Sequence, residues 1–223
     1  MVFAGGKGSR YPELCTTRQK AMLPIGNIPM VVYPLHLLES AGFKEVLVIA
    51  HEDSVKEISG LPDNYSLNIK VSVVGIPAAH ADDWGTADAL RHVADRIKTD
   101  VILLSCDTIT DVPLKKVVHA HRVHGAAVTA VLSHTPSSIS NVTVPGKKKK
   151  QQLEIDFIGT SKLKSSEDRL LFLSAAADFD ETLDVRLSLL KKFPHLMVQS
   201  DLMDAHLCLQ SLDDKVFDIR EVS

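Results

Sequence analysis

The stretch that most constrains this 223-residue chain is Asp100 to Cys106 (DVILLSC), an almost unbroken apolar run of strand length. A strand with one wet face alternates apolar and polar residues, so a continuous run reads as a central strand covered on both faces. The surrounding pattern supplies the covers. Met1 to Ala4, Glu45 to Ala50, Ile69 to Val74 and Ala126 to Leu132 read as further strands. Between them, helical spacing of apolar residues runs from Val31 through Leu35 and Leu38 to a stop at Gly42, from Thr86 to Ile97, and from Pro113 to His124. Alternating strands and helices imply βαβ units. The expected fold is therefore an α/β three-layer sandwich with a mostly parallel, doubly wound sheet, built as one domain over residues 1–223.

Beyond Leu132 the pattern changes. Residues 133–152 are rich in Ser, Thr, Pro and Gly and end in the run Lys147 to Lys150, which predicts a long exposed loop. The lysines read either as a solvated loop tip or as a docking patch for an acidic partner. Phe157 to Gly159, Leu170 to Ser174 and Leu196 to Val198 are expected to be strands on the far side of the same sheet. No internal repeat is present.

Hydrophobic residues make up 45% of the chain, enough for a large core, and the formal net charge is only −3. Without a basic field, direct nucleic-acid binding is not expected. Cys15, Cys106 and Cys208 form no CxxC pair and fit neither a zinc site nor a disulfide framework. The opening MVFAGGKGSR carries no signal-peptide core, and no apolar run approaches the roughly 18 residues a membrane helix needs. The expectation is a cytosolic protein with no membrane partner.

The chemistry-bearing segment follows the first strand. Gly5, Gly6 and Gly8 would let backbone N–H groups approach phosphate oxygens without Cβ obstruction. The spacing is neither the dinucleotide fingerprint nor a Walker A loop. Taken alone, the segment is as compatible with a tight structural turn as with a phosphate cradle. Its continuation to Pro29 (GGKGSRYPELCTTRQKAMLPIGNIP), the segment Gly85 to Leu90 (GTADAL) and the strand ending at Asp107 add weight to the cradle.

Those three motifs, in that order, resemble the sugar-nucleotide pyrophosphorylases, whose first loop reads close to GGxGTRLxPLTxxxPKPLLPVxxKP. The resemblance implies that Gly5, Gly6, Gly8, Ser9 and Arg10 cradle a nucleotide with Lys20. It places Gly85 and Thr86 opposite the nucleoside and makes Asp107 the magnesium ligand. The implied reaction is attack of a sugar-1-phosphate on an α-phosphate, with charge on the phosphoryl oxygens stabilised by cations and metal.

The sequence also departs from that family. The family's Pro-Lys-Pro is Gln19-Lys20-Ala21 here, which removes two rigid flanks from the lysine. No Glu-Lys-Pro element for the sugar hydroxyls occurs, and Asp204-Ala205-His206 stands where relatives read Asn-Ala-Gly. Asp204 is either a remnant metal ligand or a hydrogen-bonding residue at a strand end.

The stretches Leu103 to Val112, Asp156 to Gly159, Arg169 to Phe172 and Asp201 to Leu207 resemble the gamma-subunit family of translation initiation factor two B. That resemblance implies a non-catalytic subunit domain of a guanine-nucleotide exchange complex. Its partners would be sister subunits, the epsilon subunit especially, and initiation factor two. It would need no cofactor, its pocket would keep weak nucleotide affinity at most, and magnesium would matter only if the remnant site were active. The hexapeptide β-helix of that family is not found, which suggests an amino-terminal fragment or short isoform. The competing expectation is an active guanylyl- or adenylyl-transferase making a nucleotide sugar, with a non-reacting GTP sensor between the two.

Other residues have plainer readings. Cys106 is expected to be a packed core thiol, and His119, His121 and His124 a solvated helix face. Trp84 either caps the pocket or packs beneath it.

Overall fold

The computed structural model describes residues 1–6, 8, 12–16, 18–80, 84–134, 156–162, 168–176 and 182–212. They fall into two compact units, Met1–Val131 with His206–Ser223, and Leu132–Ala205.

In chain order the first part contains β1 (Val2–Ala4), the single turn α1 (Pro12–Cys15), β2 (Pro24–Ile25), β3 (Ile28–Pro29), α2 (Val32–Ser40) and β4 (Glu45–His51). The short helices α3 (Val55–Ser59) and α4 (Leu61–Asn64) then lead to β5 (Lys70–Ile76), α5 (Thr86–His92), β6 (Val101–Ser105), α6 (Leu114–His124) and β7 (Val128–His134). After them come β8 (Asp156–Lys162), β9 (Asp168–Ala175), α7 (Leu187–Lys192), β10 (Met197–Gln199) and β11 (Leu202–Gln210).

The main sheet has six strands in the order β5-β4-β1-β6-β11-β7. Strand β1 pairs in parallel with β4 and β6, and β4 pairs in parallel with β5. Strand β11 runs antiparallel to β6, with Leu207 opposite Leu104. The strand period of two explains the unbroken apolar run. Val2, Ala4, Val48, Ile102 and Leu104 join a cluster with Val32, Leu35 and Leu38 of α2 and Leu114 of α6. Met1, Ile49 and Leu103 point the other way, into a cluster with Ala89 and Leu90 of α5. Helices thus cover both faces, as expected for the sandwich.

Two expectations need correction. The helix predicted over Thr86 to Ile97 ends at His92: the Val93 N–H bonds back to Leu90 O, and a separate 3-10 turn covers Ala94–Arg96. Val93 is buried among Met1, Ile49 and Leu90, and the tighter turn delivers the chain into β6. Strands β8, β9 and β10 do not extend the main sheet either. They form their own antiparallel sheet in the order β10-β8-β9, because β8 finds a partner on both edges locally while β11 and β7 take the far side of the main sheet. A register shift at Gly159/Thr160 lies where the Phe172 ring occupies the space a Cβ on Gly159 would need. The expected loop over 133–152 lies outside the described residues from 135 onward, and with it the lysine run.

Candidate functional site

Gly5 leaves the carboxyl end of β1, and a Cβ there would come within 2.9 Å of Ile76 Cδ1. Gly8 has φ +68° and faces Cys15, whose sulfur fills the place of a side chain. Gly8 is restricted to glycine by its backbone conformation and its packing, whereas a side chain at Gly5 would require the end of the Ile76 side chain to shift. Ser9 and Arg10 lie outside the described residues.

Lys20 opens a 3-10 turn over Lys20–Met22, closed by the Leu23 N–H on Lys20 O at 3.1 Å. The turn is anchored by Ala21 and Met22, which are buried in the α2-side core. This packing holds the lysine without the family's flanking prolines. Its stem passes Gly6 and Gly8, and its ammonium donates to Asp107 Oδ2.

Asp107 arrives from β6. The pairing of Phe3 with Ser105, continued by the Cys106 N–H on Phe3 O at 2.9 Å, sets it beside the glycine loop. Ser105 Oγ donates to its second oxygen. Burial would raise the Asp107 pKa, but the bonds from Lys20 and Ser105 and the Lys20 charge outweigh it and hold the carboxyl below its usual range. Ser105 is a site residue the sequence reading missed. The available signal was a hydroxyl two residues before Asp107 at the end of a strand, where both side chains share a face.

Next to Asp107, Cys106 is buried and its thiol is pushed up to about 11, first by burial and then by the Asp107 charge. This is the inert core thiol that the sequence suggested.

Gly85 and Thr86 form the start of α5. The Gly85 N–H donates to Asp88 Oδ2 at 3.1 Å, and Arg91 donates to Asp88 Oδ1 at 2.7 Å, so the GTAD segment closes its own helix terminus. Helix α5 packs through Ala89 and Leu90 in the cluster containing Ile76, the residue Gly5 approaches. Trp84 packs against that cluster, stacked on His80 at 5.0 Å and tilted to His92 at 5.1 Å. The structure therefore joins Gly6, Gly8, Lys20 and Asp107 directly, with Gly5 and α5 meeting at Ile76.

The histidine expectation holds for His119 and His124, which are exposed, and fails for His121. His121 is 3% exposed and its Nδ1 lies 2.8 Å from Thr129 Oγ1 of β7. It sits on the face of α6 turned toward the sheet, where the hydroxyl satisfies it. Asp204 lies inside β11, two residues after its start. His206 has φ +53°, a conformation that favours glycine, at the position where the resembling family reads Gly.

Among the described residues no group of three or more His, Cys, Asp or Glu side chains could hold a metal, and no helix is long and apolar enough to cross a membrane.

The family model for nucleotidyl transferases matches residues 1–140, and the chain belongs to this family. Within it, the chain is similar to the translation initiation factor eIF2B subunit gamma. The Schizosaccharomyces pombe protein is 34% identical over 93% of this chain and 44% of its own length, and the Caenorhabditis elegans protein 31% over 93% and 50%. The chain thus spans about half the length of the curated relatives it matches. Mannose-1-phosphate guanyltransferase of Candida albicans is 29% identical over 59% of this chain and 36% of its own length. A solved structure from Bacillus anthracis, described as a glucose-1-phosphate thymidylyltransferase in complex with a sucrose, superposes with a TM-score of 0.65. It covers 100% of this chain and 74% of its own, at 16% identity, a likeness of fold.

Proposed function

We propose that the chain is the nucleotidyl-transferase-like domain of a gamma-type subunit in the exchange complex for translation initiation factor two. It acts in the cytosol by binding sister subunits, the epsilon subunit above all, and performs no sugar-nucleotide synthesis. One observation carries this reading. Similarity to three gamma subunits runs over 91–93% of the chain, through the second unit, whereas the guanyltransferase matches extend over 59–60%. The part of the chain that the guanyltransferase matches leave uncovered is therefore of gamma type in wording.

The site supports the same reading. In a transferase, the lysine would face the triphosphate and the carboxylate would face magnesium. Here Lys20 and Asp107 neutralise each other. Asp107 already accepts from Lys20 and Ser105, and among the described residues no group of three or more His, Cys, Asp or Glu side chains could hold a metal, so these residues offer no all-protein cage for magnesium. With no Glu-Lys-Pro element to hold a sugar, the remaining capacity is weak nucleotide binding by the loop amides of Gly5, Gly6 and Gly8, the flanks of Lys20, and Thr86.

A subunit role asks only for an interface of ordinary size, roughly 800 Å² per partner. The test is reconstitution with the sister subunits and measurement of GDP release from initiation factor two. Asp107→Asn should leave assembly and exchange within twofold of the parent. A large loss of exchange with assembly intact would overturn the proposal, as would pyrophosphate release from GTP that depends on both mannose-1-phosphate and Asp107.

A further inference from the structure

On α6, Lys115, His119 and Arg122 follow one another at i, i+4 and i+7 and so share one face of the helix. Together with Val118, and with Ala41 and Phe43 beyond the end of α2, they line a cavity of about 370 Å³. None of the three forms a side-chain ion pair among the described residues. Helix α6 contains no Asp or Glu, and the acid of α2, Glu39, is engaged by His36 at 3.4 Å and by the Asn68 N–H.

The helix dipole alone does not account for this stripe. Cations in the last turn, such as Arg122, are favoured by the helix dipole, but Lys115 lies in the first turn, where a cation is disfavoured. A second cavity, of about 410 Å³, shares Phe43 but mixes Arg96 and Lys98 with Glu45 and Asp100 and has no such bias.

We infer that the α6 cavity is an anion site for a phosphate monoester carrying a planar or apolar body. Lys115, His119 and Arg122 hold the phosphate, and Phe43 and Val118 pack against the body. A pocket lined on one helix face by two cations and an imidazole suits one small ligand better than an extended peptide. It is separate from the glycine loop: α2 ends just before β4 begins, so Phe43 lies at the amino-terminal edge of the parallel strands, while Gly5 to Gly8 follow the carboxyl end of β1.

The experiment is calorimetric titration of the protein with adenosine 5′-monophosphate and with inorganic phosphate, in low-salt buffer. Lys115→Ala/Arg122→Ala should weaken adenosine monophosphate binding tenfold or more, while Lys116→Ala and Lys20→Ala change it less than twofold. Charge-preserving Lys115→Arg/Arg122→Lys should retain most of it and shows that folding is not the cause. Phe43→Leu should lower affinity for the monophosphate and leave inorganic phosphate unchanged. Equal weakening by Lys116→Ala would reduce the effect to diffuse charge, and loss with Lys20→Ala would move it to the glycine loop; either result overturns the assignment. So would a protein that binds neither probe at millimolar concentration, or that binds poly-glutamate and not the monophosphate.

Discussion

Replacing Gly8 by Ala places two separable costs at one position. The backbone sits at φ +68°, which roughly costs an L-residue 1–2 kcal/mol. The new methyl would also occupy the space of Cys15 Sγ and come within 3.4 Å of Lys20 Cβ, an overpacking cost of about 1–3 kcal/mol. Reduced freedom of the unfolded chain returns about 0.4–1 kcal/mol. The expected net destabilisation of Gly8→Ala is about 1–5 kcal/mol.

Cys15→Ala removes the obstructing sulfur and leaves the backbone term untouched. The double variant should therefore be less destabilised than the sum of the singles by about 1–2 kcal/mol, since residues in contact couple by roughly this amount. Urea unfolding followed by tryptophan fluorescence is the suitable assay. Trp84 is the only tryptophan and belongs to the same compact unit as Gly8 and Cys15, so its signal reports that unit. A Gly8→Ala cost below about 0.5 kcal/mol, or a cycle that is additive within error, would refute the reasoning.

Three further outcomes follow from other contacts. The Asp107 carboxyl is held below its usual range, so its contribution to stability is present above the unfolded value near 3.8 and lost as pH falls through the lower folded value; the stability gap between the parent and Asp107→Asn should shrink between pH 5 and pH 2 in urea titrations. Partial exposure of Lys20 (24%) and Asp107 (35%) limits that gap to about 1 kcal/mol or less at neutral pH. Thr129→Val strands the buried His121 Nδ1 and should cost about 1–3 kcal/mol in thermal unfolding, more than Thr129→Ser, which keeps the hydroxyl. Cys106, buried with its thiol at about 11, should resist iodoacetamide at pH 8 in the native protein and react after denaturation, as mass spectrometry of its peptide would record.

The parallel part of the sheet was readable from the chain because each strand there is apolar on both faces and bounded by a helix of clear period. Observed bounds for β1, β4, β5, β6 and β7 lie within two residues of the expected ones. What failed depends on partners that a local pattern does not name. The run Phe157 to Gly159 shows strand propensity but not which edge it joins, and β8 takes β9 and β10. His121 shares a polar helix with two exposed histidines, and only the position of Thr129 across the connection shows that it turns inward. At the candidate site, Lys20 and Asp107 were each legible from motif wording. That they meet, with Ser105 as the third member, required the Phe3–Ser105 register.

That meeting also separates the architecture of the site from its chemistry. Gly5 and Gly8 are held by packing against Ile76 and Cys15, Lys20 by the buried Ala21 and Met22, and Asp107 by the strand pairing of β1 with β6. None of these supports requires a ligand. A loop maintained by core packing persists whether or not it turns over a nucleotide, so its presence is weak grounds for catalysis. The informative features are those the fold does not need: a lysine and a carboxylate spent on each other, and on α6 a row of basic side chains, Lys115 among them against the helix dipole, with no acid on that helix to answer them. The first feature pairs charge within the glycine-loop site, and the second gathers Lys115 and Arg122, without ion-pair partners among the described residues, at the opposite edge of the sheet. Ligand binding in this chain is therefore expected to be strongest away from the glycine loop, and the two sites should titrate independently because no described side chain is common to both.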